Sequence, residues 1–462
     1  MTTVEVRSPY SGDVIGEVEE LSADVVAATI ARQADMAADR DRWLAPHERI
    51  EVLRRAAALV ADRREALARL IASEGGKPLT DALVEVDRAA NGLDLCADEV
   101  GHQAGEEVPM GVTPASAGRL AFTTPEPIGA VVAVSAFNHP LNLIVHQTGP
   151  AIAAGCPVLI KPAGPTPLSA VALGRIYAEA GLPDDWCVVA PCDDAVAELA
   201  VTSDRIAFFS FIGSARVGWM LRAKLAPGVR AALEHGGVAP LIVDASADLD
   251  KAVPAILKGG YYHAGQVCVS VQRVFADVSV RDELVERLVA GVAELVVGDP
   301  LDPATQVGPL IRQGEVDRVD EWVREARDGG AVVAAGGHPL DHQCYAPTLL
   351  VDPPADSRMM TAEVFGPVVN VTGTTGLDDA VARANSLPWA FQAAVLAQDI
   401  DAAMWAAKRL NATAVMVNDH TAFRVDWMPF GGRGPSGLGM GGMSHTVHEL
   451  TRPKMIVLNA GA

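Results

Sequence analysis

The chain has 462 residues, half of them apolar, with a net charge of −21 and six scattered cysteines. This length is sufficient for two or three lobes with large cores, and the apolar fraction excludes a disordered chain. The acidic balance argues against nucleic-acid binding, because such a surface repels phosphate backbones.

The cysteines indicate a reducing compartment. They form no CxxC pair, which argues against a disulfide framework and against a zinc site, so we expect a cytoplasmic protein. Residues 1–20 contain acidic residues, Pro and Gly, unlike a secretory signal peptide. No apolar run reaches about 18 residues, so no membrane span is predicted.

The pattern along the chain changes after residue 105. Residues 20–105 have apolar side chains at helical spacing, with Ser22 as a helix N-cap. Residues 118–124 have strand character, and short runs rich in Val and Ile then alternate with helical segments. This alternation predicts two doubly wound parallel α/β lobes that meet near residues 236–240.

Two strand ends in the first lobe could hold an anionic ligand. Gly213 and Ser214 would open a helix whose free N–H groups could face a phosphate, although a simple glycine turn is the commoner explanation of such a segment taken alone. Lys161 ends a buried run, and ligands bind beyond the carboxyl ends of strands in open α/β sheets. A surface lysine with a packed stem is the alternative.

Three further residues form a complete set for acyl chemistry. Cys268 could act as a thiolate nucleophile, and the amide of Asn138 could stabilise an oxyanion. Glu234, before a Gly-Gly turn, would act as a base if burial raises its pKa. Each residue alone has a structural explanation: a buried core thiol, a turn asparagine and an exposed loop glutamate. His235 and His263 lie nearby in sequence, but nothing indicates that either faces Cys268.

The ordered set resembles the aldehyde dehydrogenase superfamily of NAD(P)-dependent enzymes from about residue 5 to the C-terminus. The motifs in chain order are PEPIGAVVAVSAFNHPL, VLIKPAGPTP, FIGSARVG, LEHGG, GQVC, VGDPLDPATQVGPLI, EVFGPV and PFGGRGPSGLG. The resemblance implies that Cys268 forms a thiohemiacetal with an aldehyde. Asn138 and the Cys268 N–H would form the oxyanion hole, and Glu234 would activate water to hydrolyse the thioester.

The resemblance also implies how NAD or NADP would bind. Lys161 would hold the adenosine ribose, and Gly213 and Ser214 the pyrophosphate region. Glu363 would bind the nicotinamide ribose, and Phe365 would pack beside the nicotinamide. No metal is implied.

The family architecture implies a division of the chain and an assembly. Residues 1–113 and 128–237 would form the NAD(P)-binding domain and residues 238–442 the catalytic domain. Residues 114–127 and 443–462 would form a small β arm for oligomerisation. We therefore expect a homodimer or homotetramer that acts on a small-molecule aldehyde, with no membrane partner.

Four positions depart from the family pattern. Gly164 replaces a Glu that contacts the ribose 2′-OH in many NAD-preferring members, so use of NADP is open. Phe137 replaces the usual Trp before the oxyanion-hole asparagine, and His235 replaces the usual Leu. His263 stands where the family often has Asn.

The segments GQVCVSVQR and NDHTAFRVDWMPFGG resemble the lactaldehyde, glyceraldehyde and phosphonoacetaldehyde branch. Arg424 falls in a region that lines the aldehyde pocket in the family, and we hypothesise that it meets the polar or anionic tail of a short aldehyde. An ion pair with Asp426 or another acid is the alternative.

Three other functions fit the same fold. A CoA-acylating dehydrogenase would transfer the acyl group to CoA instead of water, but such members commonly lack the base that Glu234 would provide. A non-catalytic binding protein would be expected to lose the nucleophile or the base, and both residue types are present. A cofactor-independent thiol esterase is a third possibility, because the same cysteine can attack esters.

Overall fold

The computed structural model describes residues 2–459. The described helices are α1 (Ala23–Ala38), α2 (Pro46–Asp62), α3 (Arg64–Gly75), α4 (Leu79–His102), α5 (Asn142–Ala154), α6 (Leu168–Glu179), α7 (Asp194–Val201), α8 (Ala215–Arg222), α9 (Leu249–Tyr261), α10 (Arg281–Ala293), α11 (Gln313–Asp328), α12 (Arg358–Thr361), α13 (Leu377–Ala384), α14 (Ile400–Arg409) and α15 (Met443–Glu449).

The strands alternate with these helices from residue 119 onward. They are β1 (Thr2–Arg7), β2 (Val14–Glu20), β3 (Glu107–Val108), β4 (Arg119–Pro127), β5 (Val131–Val134), β6 (Val158–Lys161), β7 (Cys187–Val189), β8 (Phe208–Ile212), β9 (Arg230–Glu234), β10 (Pro240–Val243), β11 (Arg273–Asp277), β12 (Val332–Ala335), β13 (Thr348–Val351), β14 (Val368–Thr374), β15 (Gln392–Leu396), β16 (Ala414–Val417), β17 (Gly437–Leu438) and β18 (Thr451–Asn459).

Two mainly parallel sheets form the two lobes, which confirms the predicted fold class. The first sheet has six strands in the order β17-β9-β8-β5-β6-β7, and the second has seven in the order β12-β13-β14-β11-β10-β15-β16. The strand order of the first sheet reverses beside β5, and a crevice at such a point accepts ligands at the carboxyl ends of the strands. Asn138, Lys161 and Gly213 follow or end β5, β6 and β8 at that edge.

Buried apolar runs explain why these strands lie inside the lobes. Residues 131–133 of β5 and residues 158–160 of β6 are fully or almost fully buried, because helices cover both faces of each sheet. Residues 2–459 contain no helix that is both long and apolar enough to cross a membrane.

A third, antiparallel sheet stands apart from the lobes in the order β18-β4-β3. The strand expected near the C-terminus covers residues 451–459, and residues 443–449 form helix α15, which packs against α4 and α5. Residues 460–462, the end of the predicted arm, lie outside the described residues. The division of the chain into domains remains a prediction.

The glycine-rich segment of residues 429–442 connects the lobes. It is largely irregular, but Gly437 and Leu438 form β17 and pair antiparallel with Glu234 and Leu233 of β9. A segment assigned to the catalytic domain thus completes the edge of the first sheet. The sequence of residues 429–442 did not predict this pairing with β9.

Candidate active site

A cavity of about 1150 Å³ lies between the two lobes. Strand ends of the first sheet, loops of the second lobe and helices α4, α5, α8, α9 and α11 line it. It contains every candidate site residue named from the sequence: Asn138, Lys161, Gly213, Ser214, Glu234, Cys268, Glu363, Phe365 and Arg424.

Cys268 is presented by a tightly bent loop. His263, Ala264 and Gly265 have φ values of 48°, 54° and 70°, in the left-handed region. The amide of Gln266 fixes this loop, since it donates to the Pro309 carbonyl at 3.2 Å and accepts from the Ile311 N–H at 3.0 Å. This geometry places the partly buried Cys268 in the cavity wall.

The valines beside Cys268 form the apolar surroundings of the thiol. Val267 and Val269 are buried and cluster with Phe391 and Phe430. Burial raises the pKa of the Cys268 thiol to about 12; nearby Glu363 and Glu234 raise it too, while Arg424 opposes this. The thiol is therefore protonated at neutral pH, and attack on a carbonyl requires a group that removes its proton.

Glu234 ends β9 and points into a space kept open by glycine. A Cβ atom on Gly441 would lie 2.0 Å from the Oε1 atom of Glu234, so that position tolerates no side chain without displacement of the carboxylate. Burial raises the pKa of the Glu234 carboxyl, Arg424 lowers it and Glu449 raises it further. A carboxylate with a raised pKa is suited to accept a proton near neutral pH.

Asn138 is buried after β5 and already has one fixed contact. Its Nδ2 donates to the carbonyl of Gln266 at 2.9 Å, which ties it to the loop of Cys268. Since an amide nitrogen carries two N–H groups, the second remains available for a ligand oxygen.

The cofactor half of the cavity fits a dinucleotide. Ser214 begins α8 without a side-chain cap, so the N–H groups of that helix face the cavity uncovered. Lys161 lies 3.4 Å from the exposed Asp194, an ion pair that a ribose could replace. A Cβ atom on Gly164 would meet no other atom within 4 Å, so this position adds neither bulk nor charge to the cavity.

Glu363 and Phe365 border the same half, next to Cys268. The Oε1 atom of Glu363 is buried without a hydrogen-bond partner among the described residues. Burial raises the pKa of Glu363 to about 8, opposed by the Gly237 N–H and by Arg318. An unpartnered carboxyl oxygen here suits a ribose hydroxyl.

The unusual residues beside the site have packing roles. His235 packs edge-on against Phe211 and Trp219, and its Nδ1 atom contacts the carbonyl of Gly213 at 2.9 Å. Phe137 contacts Phe365 edge to face, with 5.8 Å between ring centroids.

His263 occupies a left-handed backbone position, which His adopts more readily than most residues, as Asn does. Its ring is buried, and neither ring nitrogen has a hydrogen-bond partner among residues 2–459, Cys268 included. The backbone conformation thus explains why a residue type that tolerates this region stands at this position.

Arg424 lies in the cavity wall near Cys268 and Glu234, and it does not pair with Asp426. Asp426 instead contacts Arg88, and it also accepts from His146 and Asn142. The alternative of an Arg424–Asp426 ion pair is therefore wrong. Sequence analysis missed Arg88 and His146, because they come from α4 and α5, about 280 to 340 residues before Asp426.

Comparisons with known proteins agree with the motifs. A model described as "Aldehyde dehydrogenase family" matches residues 1–456. The 3-sulfolactaldehyde dehydrogenase of Priestia megaterium is 38% identical over 458 residues, covering 99% of this chain and 95% of that protein.

Two solved structures share the fold. Glyceraldehyde-3-phosphate dehydrogenase GapN from Methanocaldococcus jannaschii, complexed with NADP, has a TM-score of 0.93 and 34% identity, covering 98% of each chain. Betaine aldehyde dehydrogenase from Staphylococcus aureus, in complex with NAD+, has a TM-score of 0.95 and 27% identity, covering 100% of this chain and 92% of that chain.

Proposed function

Since the chain belongs to the aldehyde dehydrogenase family, we propose that it oxidises a short polar aldehyde to its carboxylate, with NAD or NADP as oxidant and Cys268 as nucleophile. The observation that carries this proposal is the convergence of a thiol, a buried carboxylate, an amide donor and an uncapped helix N-terminus in one cavity. The similarity to proteins named for sulfolactaldehyde and glyceraldehyde 3-phosphate supports a polar substrate.

The first step is attack of the Cys268 sulfur on the aldehyde carbon. Glu234 lies close enough to influence the thiol and takes its proton, directly or through one water. The developing oxyanion accepts hydrogen bonds from the free N–H of Asn138 and from the backbone N–H of Cys268. The product of this step is a thiohemiacetal on Cys268.

Lys161, Gly213, Ser214 and Glu363 would hold NAD or NADP, which would supply the hydride acceptor needed to convert the thiohemiacetal on Cys268 into a thioester. The valines around the sulfur limit access of water before that transfer. Glu234 passes the thiol proton to solvent and then takes a proton from water while the water oxygen attacks the thioester carbon. The bond to sulfur breaks, Glu234 returns its proton to the sulfur of Cys268, and the acid leaves as the carboxylate after it loses its own proton to solvent.

CoA transfer and a non-catalytic role are the competing functions. The buried Glu234 favours hydrolysis, because a base beside the thioester is required for water and dispensable for a thiol acceptor. Product analysis with and without CoA distinguishes them: a free acid formed at the same rate in both supports hydrolysis.

The direct test is Cys268→Ala. We expect NAD(P)H formation to fall by at least about 10³-fold, because a thioester needs a thiol and no other cysteine of the described residues lines the cavity. Cys344→Ala is the matched control, since this thiol is buried outside the cavity. Retained activity in Cys268→Ala, or equal losses in both variants, would contradict the mechanism.

A further inference from the structure

We propose, on the premise of the function above, that Gln272 is a positioning residue that fixes Glu363 beside Cys268 and so sets where the nicotinamide ribose lies relative to the thiol. Gln272 stands in the segment GQVCVSVQR, between Cys268 and strand β11. It does not line the cavity, and it acts through the main chain on either side of Glu363.

The amide of Gln272 is buried and makes three directed contacts. Only 4% of the residue is exposed. Its Nε2 atom donates to the carbonyls of Met359 at 2.9 Å and Ala362 at 2.8 Å, and its Oε1 atom accepts from the N–H of Val364 at 3.0 Å. A carbonyl oxygen can only accept and a backbone N–H can only donate, so these partners define which end of the amide is nitrogen.

These contacts lie on both sides of Glu363. The Ala362 carbonyl belongs to the peptide group before Glu363, and the Val364 N–H belongs to the peptide group after it. Residues 362–367 form neither helix nor strand, so no regular ladder of backbone hydrogen bonds holds this segment. Gln272 supplies the contacts that a ladder would otherwise provide, and it thereby fixes the main chain from which the Glu363 side chain enters the cavity.

The position of Gln272 is itself set by two other segments. Its N–H donates at 3.2 Å to the carbonyl of Ala239, in the segment that follows Glu234. Its carbonyl accepts from the backbone N–H of Asn370 at 2.9 Å and from Nδ2 of the same residue at 3.0 Å. Gln272 thus joins the segments that carry the proposed base, the nucleophile and the ribose-binding carboxylate.

The loop after Glu363 also touches the turn before Cys268. A Cβ atom on Gly265 would lie 2.1 Å from the carbonyl oxygen of Gly366, so the two backbones are in direct contact. Phe365 has a φ value of 47°, a left-handed conformation that a bulky residue keeps only where its surroundings enforce it. A shift of this loop would therefore move Glu363 and Phe365 together relative to the thiol.

A second contact keeps the loop attached when the amide of Gln272 is removed. Nη2 of Arg318, on α11, donates to the Val364 carbonyl at 2.7 Å. Since this contact remains, we expect loss of the amide to loosen the segment around Glu363 without unfolding the lobe.

The test replaces the amide by an apolar group of similar length. In Gln272→Met, the dissociation constant of NADH or NADPH, whichever wild type binds more tightly, should rise roughly 5- to 20-fold in fluorescence titrations, because the ribose-binding carboxylate loses its fixed position. For the same reason, kcat for aldehyde oxidation should fall at least about tenfold. KM for the aldehyde and cofactor-free hydrolysis of p-nitrophenyl acetate by Cys268 should each change less than about threefold, since both depend on the other half of the cavity.

Gln392→Met is the matched control. Gln392 is 3% exposed in β15 of the second sheet, and neither the nitrogen nor the oxygen of its amide has a hydrogen-bond partner among the described residues. All four quantities should stay within about twofold of wild type in this variant. Gln272→Asn, which keeps an amide one methylene shorter, should show the pattern of Gln272→Met and provides the test if that variant does not fold.

Equal losses of aldehyde oxidation and ester hydrolysis in the Gln272 variants would overturn the proposal, because they would show general damage to the site. An unchanged affinity for the cofactor would overturn it as well.

Hydrogen–deuterium exchange separates this inference from the proposed function. In the cofactor-free protein, the Val364 N–H should exchange at least about tenfold faster in Gln272→Met than in wild type or Gln392→Met. Unchanged exchange overturns the role of Gln272, whatever the activity. Faster exchange in a protein whose wild type oxidises no aldehyde supports the positioning of Glu363 and contradicts the proposed function alone.

Discussion

The Glu234 carboxylate occupies space that is open only because a neighbouring position has no side chain. Gly441 leaves the space that its carboxylate occupies, and Gly236 leaves the space of Glu363, whose Oε1 atom would lie 1.7 Å from a Cβ there. Two partly buried acids can therefore stand beside one thiol. The glycines of LEHGG and GMGG are required for these close approaches.

The role of Glu234 as base predicts separable effects on the two half-reactions. Glu234→Gln should keep a first turnover of NAD(P)H, at reduced rate, while steady-state turnover falls roughly 10²- to 10⁴-fold, because thioester hydrolysis lacks its base. Stopped-flow absorbance measures both phases. Loss of steady-state turnover without thioester accumulation on Cys268, measured by mass spectrometry of the quenched enzyme, would contradict a role in hydrolysis.

The pKa shift of Glu234 sets the acid limb of the pH profile. Its base form is the carboxylate, and burial raises its pKa, so activity should be lost as pH falls through a value above that of an ordinary glutamate. The pH dependence of kcat in wild type measures this limb. A limb at or below the ordinary value would show that another group is the base.

Gly164 predicts tolerance of a 2′-phosphate. Gly164→Glu should lower kcat/KM for NADP at least about tenfold relative to NAD, because a carboxylate in this open space repels the phosphate. Gly164→Gln controls for size without charge. If Gly164→Glu and Gly164→Gln had the same effect on both cofactors, the ribose 2′-position of the bound cofactor would not lie beside residue 164.

Local motifs predicted the candidate residues but not the network around Arg424. Cys268, Glu234 and Asn138 stand in short segments whose residue types suggest a chemistry. Arg88 and His146 lie in helical segments where a charged or polar residue is unremarkable. Only the packing of α4 and α5 against residues 424–426 brings them to one place.

At the scale of elements, buried acids from α3 and α4 fix the helices that begin at the site. Glu85 accepts from the N–H groups of Leu141 and Asn142 at the start of α5, and Glu74 accepts from those of Leu168 and Ser169 at the start of α6. Carboxylates at helix N-termini satisfy free N–H groups. The alternation of strand and helix patterns predicted α5 and α6. It did not predict that acids 56 to 95 residues earlier in the chain cap these two helices.

The ion pair of Lys77 with Glu85 predicts a stability effect. Both side chains are fully buried, so Lys77→Met should lower the free energy of unfolding by about 3–5 kcal/mol through an uncompensated buried carboxylate. Denaturant titration measures this change. Lys251→Met removes a lysine whose side chain is 80% exposed, and it should change stability by less than about 0.5 kcal/mol.

At the scale of the whole molecule, the antiparallel arm exposes an edge strand with apolar side chains that a second chain could cover. Strand β18 is its edge, and Met455, Val457 and Leu458 are exposed on it, with Leu120 exposed on β4. Exposed edge strands with apolar side chains are rare unless another chain covers them. The family resemblance implied an arm in this part of the chain, and the pattern of residues 118–124 predicted a strand there, whereas the helix before β18 was not foreseen.

We therefore expect the chain to form a homodimer or homotetramer through the arm. The double substitution Met455→Glu/Val457→Glu should shift the mass measured by light scattering towards the single chain, because charge on both side chains opposes their burial. Ile400→Glu changes an exposed apolar residue of α14 and should leave the mass unchanged. A wild-type monomer would contradict the expectation directly.

The pairing of β17 with β9 also restricts how the enzyme can move during turnover. Rotation of one lobe away from the other would break the ladder from Gly437 to Glu234, at the residue proposed as the base. Hinge opening would thus disassemble the site at each cycle. Entry and release of the dinucleotide are instead expected to proceed through local motion of side chains and loops at the cavity mouth, while the lobes keep a fixed orientation.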